Sequence, residues 1–368
     1  MGSVFVVSHA PGVALRTRAN ELATCLKGRG HDVFVYRPQR QEPGLSLSRK
    51  IVWHLRAALP RLELTGGAEM VTFVSTPRVV RCSRMLSDLN DKMAAHLLRQ
   101  LPVDVIFTAA YDGPHLRRPS GTRVVYDLVD DHAAGYQAEG KPWKARDVNT
   151  FVRRQMAEAD AVSVSSRVLE DLARVQFARE AVYVPNGVDV PVIRSALKET
   201  DRVRRVGYVG GLERFVRLDL VVDAVARLRR GGDEIELVVV GDGPAARGRR
   251  WPDWVLLKGM RPPNEIPAFL YTFDVGVVPF ELSPFTDAAL PLKVLEYGAA
   301  RRPCVSSPLK ELAVQSFPWV TLVPLDVDAW AEALARAIDL PWEDAWDRAV
   351  DRFDWRSVTN LLEKVLWP

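Results

Sequence analysis

An α/β chain with two successive parallel-sheet domains is predicted by three observations. Residues 1–36 run strand, Pro-Gly loop, helix, glycine, strand, the opening of a βαβ unit whose sheet is covered on both faces. A second series of the same kind begins at residue 205, after Pro185-Asn186-Gly187, where Asn-Gly predicts a tight turn and the proline a stiff entry. The chain is 368 residues long, 48% hydrophobic and 26% charged, which suits two or three domains with large cores.

The elements follow in order. Residues 4–7 are an apolar strand. Ser8, His9, Pro11 and Gly12 follow at its carboxyl end, where such sheets place ligands. Ala19, Leu22, Ala23 and Leu26 then share a helix face that stops at Gly28 and Gly30, before a strand over 31–36. Arg16 and Arg18, in the first turns of that helix, can serve an anionic acceptor or stand in solvent. Residues 45–64 form a basic amphipathic segment that either packs on the core with a charged outer face or touches an anionic membrane face or an acceptor. Strands at 71–74 and 103–107 bracket a helix over 88–101.

The strand at 123–126 ends in Asp127, Asp130, Asp131 and His132. Close carboxylates push one another's pKa values apart, as an acid/base site requires. The structural alternative makes Asp130 and Asp131 helix caps and Asp127 a ligand of nearby backbone. A helix over 151–159 and strands at 161–166 and 181–185 complete the first half. In the second, a strand at 205–209 leads through Gly210-Gly211 to a helix with Leu218, Val221, Val225 and Leu228 on one face. The Gly-Asp-Gly-Pro after the strand at 236–240 lacks the G-x-G-x-x-G that opens a dinucleotide-binding helix, which argues against a dehydrogenase. A strand at 256–259, an amphipathic helix within 264–274 and a strand at 275–279 come next. The tail, 355–368, is a helix with Val358, Leu361, Leu362 and Leu366 apolar.

The stretch 280–307 carries the chemistry. A polar loop leads to a helix whose first position is Pro291, where a missing N–H is harmless. Leu290 before it offers no capping oxygen, so the first-turn N–H groups are available to an anion. Lys293, Glu296 and Tyr297 share one face at i, i+3 and i+4, while Leu292, Leu295 and Ala299 can turn to the core. A cation at a helix start with a carboxylate one turn on fits a phosphate beside a sugar diol. An exposed ion pair is the plainer alternative.

Bulk properties narrow the class further. A net charge of +4 argues against nucleic acid as a partner. Three cysteines (Cys25, Cys82 and Cys304) form neither a disulfide framework nor a metal-ligand spacing, as expected of a reducing cytoplasm. Residues 1–7 read as a strand rather than a secretory leader, and no run approaches the ~18 apolar residues of a membrane span.

Three motifs, Tyr-Asp-Leu-Val-Asp-Asp at 126–131, Val-Pro-Asn-Gly-Val-Asp at 184–189 and Pro-Leu-Lys-Val-Leu-Glu-Tyr at 291–297, resemble glycosyltransferases of the GT-B fold, in the branch similar to family 4. The resemblance implies two Rossmann-like domains facing each other across a cleft: an acceptor-binding domain over 1–187 and a donor-binding domain over 188–350. A helix over 351–368 would cross back to the first. It implies a cytoplasmic enzyme, possible contact with the inner membrane face included, that moves a sugar from a nucleotide diphosphate sugar to a glycan, lipid-linked or small-molecule hydroxyl. Retention is expected, with neither metal nor cofactor. Lys293 would meet the diphosphate and Glu296 the ribose. Gly12, Gly210, Gly211, Arg214, Gly259, Met260, Thr286, Asp287, Ala288 and Leu292 would complete the donor site. Asp130, Asp131 and His132 would lie near the reacting centre, and His9, Arg16 and Arg18 near the acceptor.

The chain departs from the family at three points. Ala288 stands where a glutamate is usual, Gly211 replaces an arginine for which Arg214 and Arg217 are the candidate substitutes, and Arg301-Arg302 replaces a helix-end glycine. A sugar-nucleotide epimerase on the same frame, or an idle nucleotide-sugar-binding subunit, is the alternative these losses leave open.

Overall fold

The computed structural model describes residues 1–7, 17–36, 72–74, 98–99, 101–111, 118–196 and 203–368. His9, Gly12, Arg16, the basic segment 45–64 and most of the helix expected over 88–101 lie outside them. The chain forms two units. One comprises Met1–Val164, Glu170–Val184 and Thr359–Pro368, the other Ser165–Leu169 and Pro185–Val358.

The first unit contains β1 (Ser3–Val7), α1 (Arg18–Gly28), β2 (Asp32–Tyr36), β3 (Thr72–Val74), β4 (Val105–Thr108), β5 (Arg123–Leu128), α2 (His132–Ala138), α3 (Pro142–Glu158), β6 (Ala161–Val164), the greater part of α4 (Arg167–Phe177) and β7 (Val182–Tyr183). Its strands make one parallel sheet in the order β3-β2-β1-β4-β5-β6-β7. β1 is buried along its whole length between β2 and β4, which is why it reads as an unbroken apolar run. Thr17 caps α1 by accepting from the Asn20 amide, and α1 turns Leu22, Ala23 and Leu26 inward.

The second unit begins with α5 (Val190–Arg194), followed by β8 (Arg204–Val209), α6 (Leu218–Arg230), β9 (Ile235–Val240), β10 (Val255–Gly259), α7 (Ile266–Thr272) and β11 (Val275–Val278). The one-turn α8 (Pro284–Asp287), α9 (Leu292–Ala299), β12 (Cys304–Ser306), α10 (Lys310–Gln315), β13 (Val320–Leu322), α11 (Val327–Ile338), α12 (Asp344–Asp351) and α13 (Trp355–Leu366) complete it. Its six strands pair in parallel in the order β10-β9-β8-β11-β12-β13. The core of this unit centres on buried Tyr208, Phe273, Tyr297, Trp319 and Trp330.

The Asn186-Gly187 pair makes no tight turn. Gly187 has no left-handed φ, and a Cβ there would lie 2.5 Å from the Trp355 ring. The buried Asn186 donates through Nδ2 to the Leu290 carbonyl at 2.8 Å. This glycine is needed for close packing and this asparagine for a hydrogen bond. At the other end of the chain the last turns of α13, from Thr359 on, count with the first unit. There Glu363 pairs with Arg29 and with His31 (3.0 Å to Nε2), and His31 stacks on Trp367 with centroids 4.4 Å apart. Val358, Leu362 and Leu366 of α13 are buried, but Leu361 points out.

Candidate functional site

In the second unit the candidate site lies at the carboxyl ends of β8 and β11. The chain goes from β8 outward to β9, and from β11 outward to β12, so a crevice opens between these two neighbours. Gly210, just past β8, has φ +129°, and Gly241, just past β9, has φ +145°. A Cβ on Gly241 would lie 2.0 Å from the Gly210 carbonyl oxygen. The two backbones therefore cross where only glycine fits. Phe215 to Glu281 is tied across by the Val216–Phe280 bridge and by the Glu281 amide donating to the Phe215 carbonyl at 2.7 Å.

The helix α9 starts beside this crossing. Pro291 is the cap residue itself, with extended backbone, one position earlier than the sequence suggests; no side chain caps the helix. The Val294 amide bonds back to the Pro291 carbonyl at 3.1 Å, leaving Leu292 and Lys293 without an intrahelical acceptor. The Lys293 ammonium stands 4.6 Å from the Phe280 ring centroid and 5.3 Å from that of Tyr208. Its Cε would be 3.1 Å from a Cβ on Gly210. Burial pushes its pKa down to about 8, against the upward pull of Glu296 and of Cys304. A cation held among aromatic faces at an open helix start is poised for an anion that arrives from outside.

Tyr297 does not share this face. It is fully buried, its hydroxyl accepts from the Val209 amide at 3.2 Å, and it serves the sheet. Leu292, expected to turn inward, is half-buried. The sheet (β11 and β12) and two helices (α5 and α12) all pack against this short helix, so helical spacing alone does not separate the two faces. Glu296 is half-buried one turn after Lys293.

The remaining donor-side residues divide. Thr286 is buried in a capping box with Ser283, its hydroxyl donating to the Glu281 carbonyl at 2.6 Å. The Asp287 carboxylate accepts from the Lys310 amide (3.2 Å) and pairs with the Lys310 ammonium (3.3 Å). Ala288 is buried and its carbonyl accepts from Ser166 at 2.6 Å. These three shape the loop. Gly211 and Arg214 are exposed, whereas Arg217 is tied to Asp219 at 3.0 Å; of the two substitute arginines, Arg214 is the one without a salt bridge among the described residues. Gly259 ends β10 in a left-handed conformation, its carbonyl accepting from the Gly241 amide, and Met260 beside it is 64% exposed. Tyr208 and Phe280, which floor the cation, escape sequence reasoning. Their signal is an aromatic at or just beyond a strand's carboxyl end.

In the first unit Arg18 neither meets an acceptor nor stands in solvent. It is buried, with Nε 2.8 Å and Nη2 3.2 Å from the Asp127 carboxylate, and Nη2 also donates to the Val184 carbonyl at 2.6 Å. Ser163 donates to the same carboxylate at 2.7 Å. Asp127 is thus structural, held by an arginine rather than by backbone. Asp131 caps α2, accepting from the Ala134 amide at 2.9 Å. The His132 and Tyr111 rings meet at a tilt of 37°, centroids 3.7 Å apart. Asp130 differs from both. It is half-buried, and no described side chain pairs with it. Burial raises its pKa to about 7, with Arg18 opposing and Asp131 adding to the rise. Among the described residues no group of three His, Cys, Asp or Glu side chains is placed to hold a metal ion, and no helix is long and apolar enough to cross a membrane.

Two family descriptions match the chain in succession. Residues 14–187 match "Glycosyl transferase 4-like domain" and residues 203–339 match "Glycosyl transferases group 1". Taken together, the two matches support a glycosyltransferase of the group 1 type. It is 26% identical over 220 residues to TuaH of Bacillus subtilis (strain 168), named as a teichuronic acid biosynthesis glycosyltransferase, a match covering 55% of this chain and 54% of TuaH. It is 27% identical over 225 residues to the glycosyltransferase EpsF of the same organism, covering 54% of this chain and 56% of EpsF. The matched region thus spans about half the length of these curated relatives. The fold resembles that of sucrose-phosphate synthase of Thermosynechococcus elongatus, with TM-score 0.72 and 16% identity over 99% of this chain and 98% of that one. It also resembles Anabaena HepE, solved in complex with UDP-glucose, with TM-score 0.65 and 14% identity over 99% of each chain. These likenesses establish GT-B architecture and favour a transferase over an epimerase or an idle subunit.

Proposed function

We propose that this glycosyltransferase binds a nucleotide diphosphate sugar in its second unit and moves the sugar to an acceptor hydroxyl handled by its first. The observation that carries the reading is Lys293, a cation with a lowered pKa at the uncapped start of α9, beside the glycine crossing at the carboxyl ends of β8 and β9. The HepE structures with UDP and UDP-glucose support a donor of this class.

In the reaction a bond forms between the acceptor oxygen and the anomeric carbon while the bond from that carbon to the diphosphate breaks. Negative charge gathers on the departing diphosphate. Lys293 and the free amides of Leu292 and Lys293 stabilise it, the kind of preorganised electrostatics that dominates such transfers. We assign the ribose hydroxyls to Glu296 and the base wall to Gly259 and Met260, with Arg214 and Gly211 lining the outer phosphate. No metal ion takes part in this scheme. The outcome we propose is retention, with the acceptor proton passing to the leaving diphosphate, and Asp130 orients the acceptor. Inversion would instead make Asp130 the proton acceptor, a role its pKa of about 7 suits.

The experiment is a thermal-shift panel of UDP-, GDP- and TDP-sugars on the wild-type protein and Lys293→Ala. A donor at 100 times its Kd stabilises by ~2.7 kcal/mol. One nucleotide class should stabilise the wild type and lose its effect in the variant. No stabilisation by any class, or equal stabilisation of both proteins, refutes the reading. NMR of the anomeric proton of the product then separates retention from inversion.

A further inference from the structure

The first unit carries, next to Asp130, a run of aromatic rings and one cation that the transfer scheme does not use. Tyr111 faces His132, with centroids 3.7 Å apart. Tyr136 follows His132 by four residues and so lies on the same side of α2. The Lys144 ammonium sits 5.0 Å from the Tyr136 centroid and 5.6 Å from that of Trp143. Tyr111, His132, Tyr136 and Lys144 are half-buried, and Trp143 is 57% exposed at the start of α3. From Asp130 the strip runs the length of α2, seven residues, or ~10 Å at 1.5 Å per residue.

An indole left more than half exposed needs a reason, since isolated surface rings are ordinary but a connected strip of them is not. Aromatic faces with one apolar side and polar edges match the faces of sugar rings, whose C–H groups lie flat and whose hydroxyls point to the rim. The single cation between two rings adds a place for a carboxylate or phosphate on that sugar. The length of the strip exceeds one ring. On the reading that Asp130 orients the acceptor, the strip continues the acceptor site away from the reacting hydroxyl.

We propose that the strip Tyr111–His132–Tyr136–Lys144–Trp143 binds an acceptor that is itself a saccharide chain of at least two rings carrying an acidic group, with Trp143 stacking on a ring distal to the transfer point. The proposal rests on the transferase reading for its purpose but not for its test, because the strip lies in the first unit and the nucleotide site in the second.

The test uses the full chain on an array of mono- to tetrasaccharides, neutral and uronate-bearing, beside flotation with phosphatidylglycerol and phosphatidylcholine vesicles. Wild type should retain uronate-bearing oligosaccharides better than the matching monosaccharides. Trp143→Ala should weaken that binding about three- to tenfold, the scale of one aromatic contact, and Trp143→Phe should restore most of it. Lys144→Ala should erase the preference for acidic over neutral chains. Stabilisation by the nucleotide class found in the donor panel reports on the second unit; binding there without strip-dependent glycan binding overturns this proposal and leaves the transferase reading intact. No glycan retained by wild type, or retention that Trp143→Ala leaves within about twofold, overturns it. So does flotation with phosphatidylglycerol vesicles that depends on Trp143 in the absence of glycan binding, which would make the strip a lipid contact.

Discussion

Replacing Lys293 with methionine should make the unliganded protein more stable while disabling it. A lysine lowered from 10.5 to about 8 carries a penalty of about 3 kcal/mol on its charged form, at ~1.4 kcal/mol for each pH unit. The contacts with Tyr208 and Phe280 return roughly 0.5–1 kcal/mol each. The net gain on removing the charge is therefore ~1–2 kcal/mol, and methionine refills the volume. For a domain of this size that corresponds to about 2–8 °C in melting temperature. The pH dependence has a definite sign. The unfolded chain keeps its proton to pH 10.5 and the folded one releases it above about 8, so the penalty is full below pH 8 and fades between the two values. The advantage of Lys293→Met should accordingly be largest at pH 7 and shrink toward pH 10.5. Turnover should fall roughly 10²–10³-fold, as for removal of one charge-stabilising donor. Differential scanning fluorimetry across pH 6–10 checks the first part and donor turnover the second. A variant that melts lower than wild type at pH 7, or one that keeps wild-type turnover, would refute the assignment of Lys293 as a strained anion ligand.

Three further outcomes follow from the same geometry. Glu296→Gln should weaken donor binding and narrow the affinity gap between the ribose and 2′-deoxyribose forms; calorimetry showing full discrimination in the variant removes Glu296 from the ribose. Asp130→Asn should lower turnover with acceptor and flatten a pH–rate limb near 7, where the wild-type carboxyl titrates, without changing donor affinity; a rate within about twofold of wild type, with the limb intact, places the working group elsewhere. Arg18→Met leaves Asp127 buried without its cation and should cost about 3–5 kcal/mol in urea unfolding, and Arg18→Met with Asp127→Leu should recover most of it; a single variant as stable as wild type contradicts the buried pair.

The parts legible in the sequence are those set by local rules. Strands such as β1 and β11 are buried on both faces and so appear as unbroken apolar runs. The uncapped opening of α9 is legible because capping depends on a residue's immediate neighbours. What fails is whatever depends on distant partners. Arg18 looks like a surface cation until Asp127, 109 positions away, is brought against it. Asn186-Gly187 looks like a turn because its partners, Leu290 and Trp355, are far along the chain. In α9 the spacing places Lys293, Glu296 and Tyr297 together. Yet Tyr297 alone reaches a gap over the sheet where its hydroxyl finds the Val209 amide. In the acidic cluster the sequence shows four neighbouring titratable groups, and the local cap at Asp131, the remote arginine at Asp127 and the Tyr111 ring against His132 separate Asp130 from the other three.

The same distinction bears on the departures from the family pattern. Ala288 removes a carboxylate from the loop before α9, and the neighbouring Asp287 does not replace it, because both its oxygens are engaged by Lys310. The loop is nonetheless held firmly. Ser166 fixes the Ala288 carbonyl, Asn186 fixes the Leu290 carbonyl, and Thr286 closes a capping box with Ser283. A loop that had lost its purpose with its carboxylate would have no reason to keep three buried side chains holding its backbone in one course. In the proposed scheme this loop delivers Pro291, and with it the open amides and Lys293, to the end of β8. On the proposed reading the loop holds the anion-binding start of α9 in place although the expected glutamate at 288 is absent, which fits a transferase with altered donor or acceptor preference better than a site falling out of use.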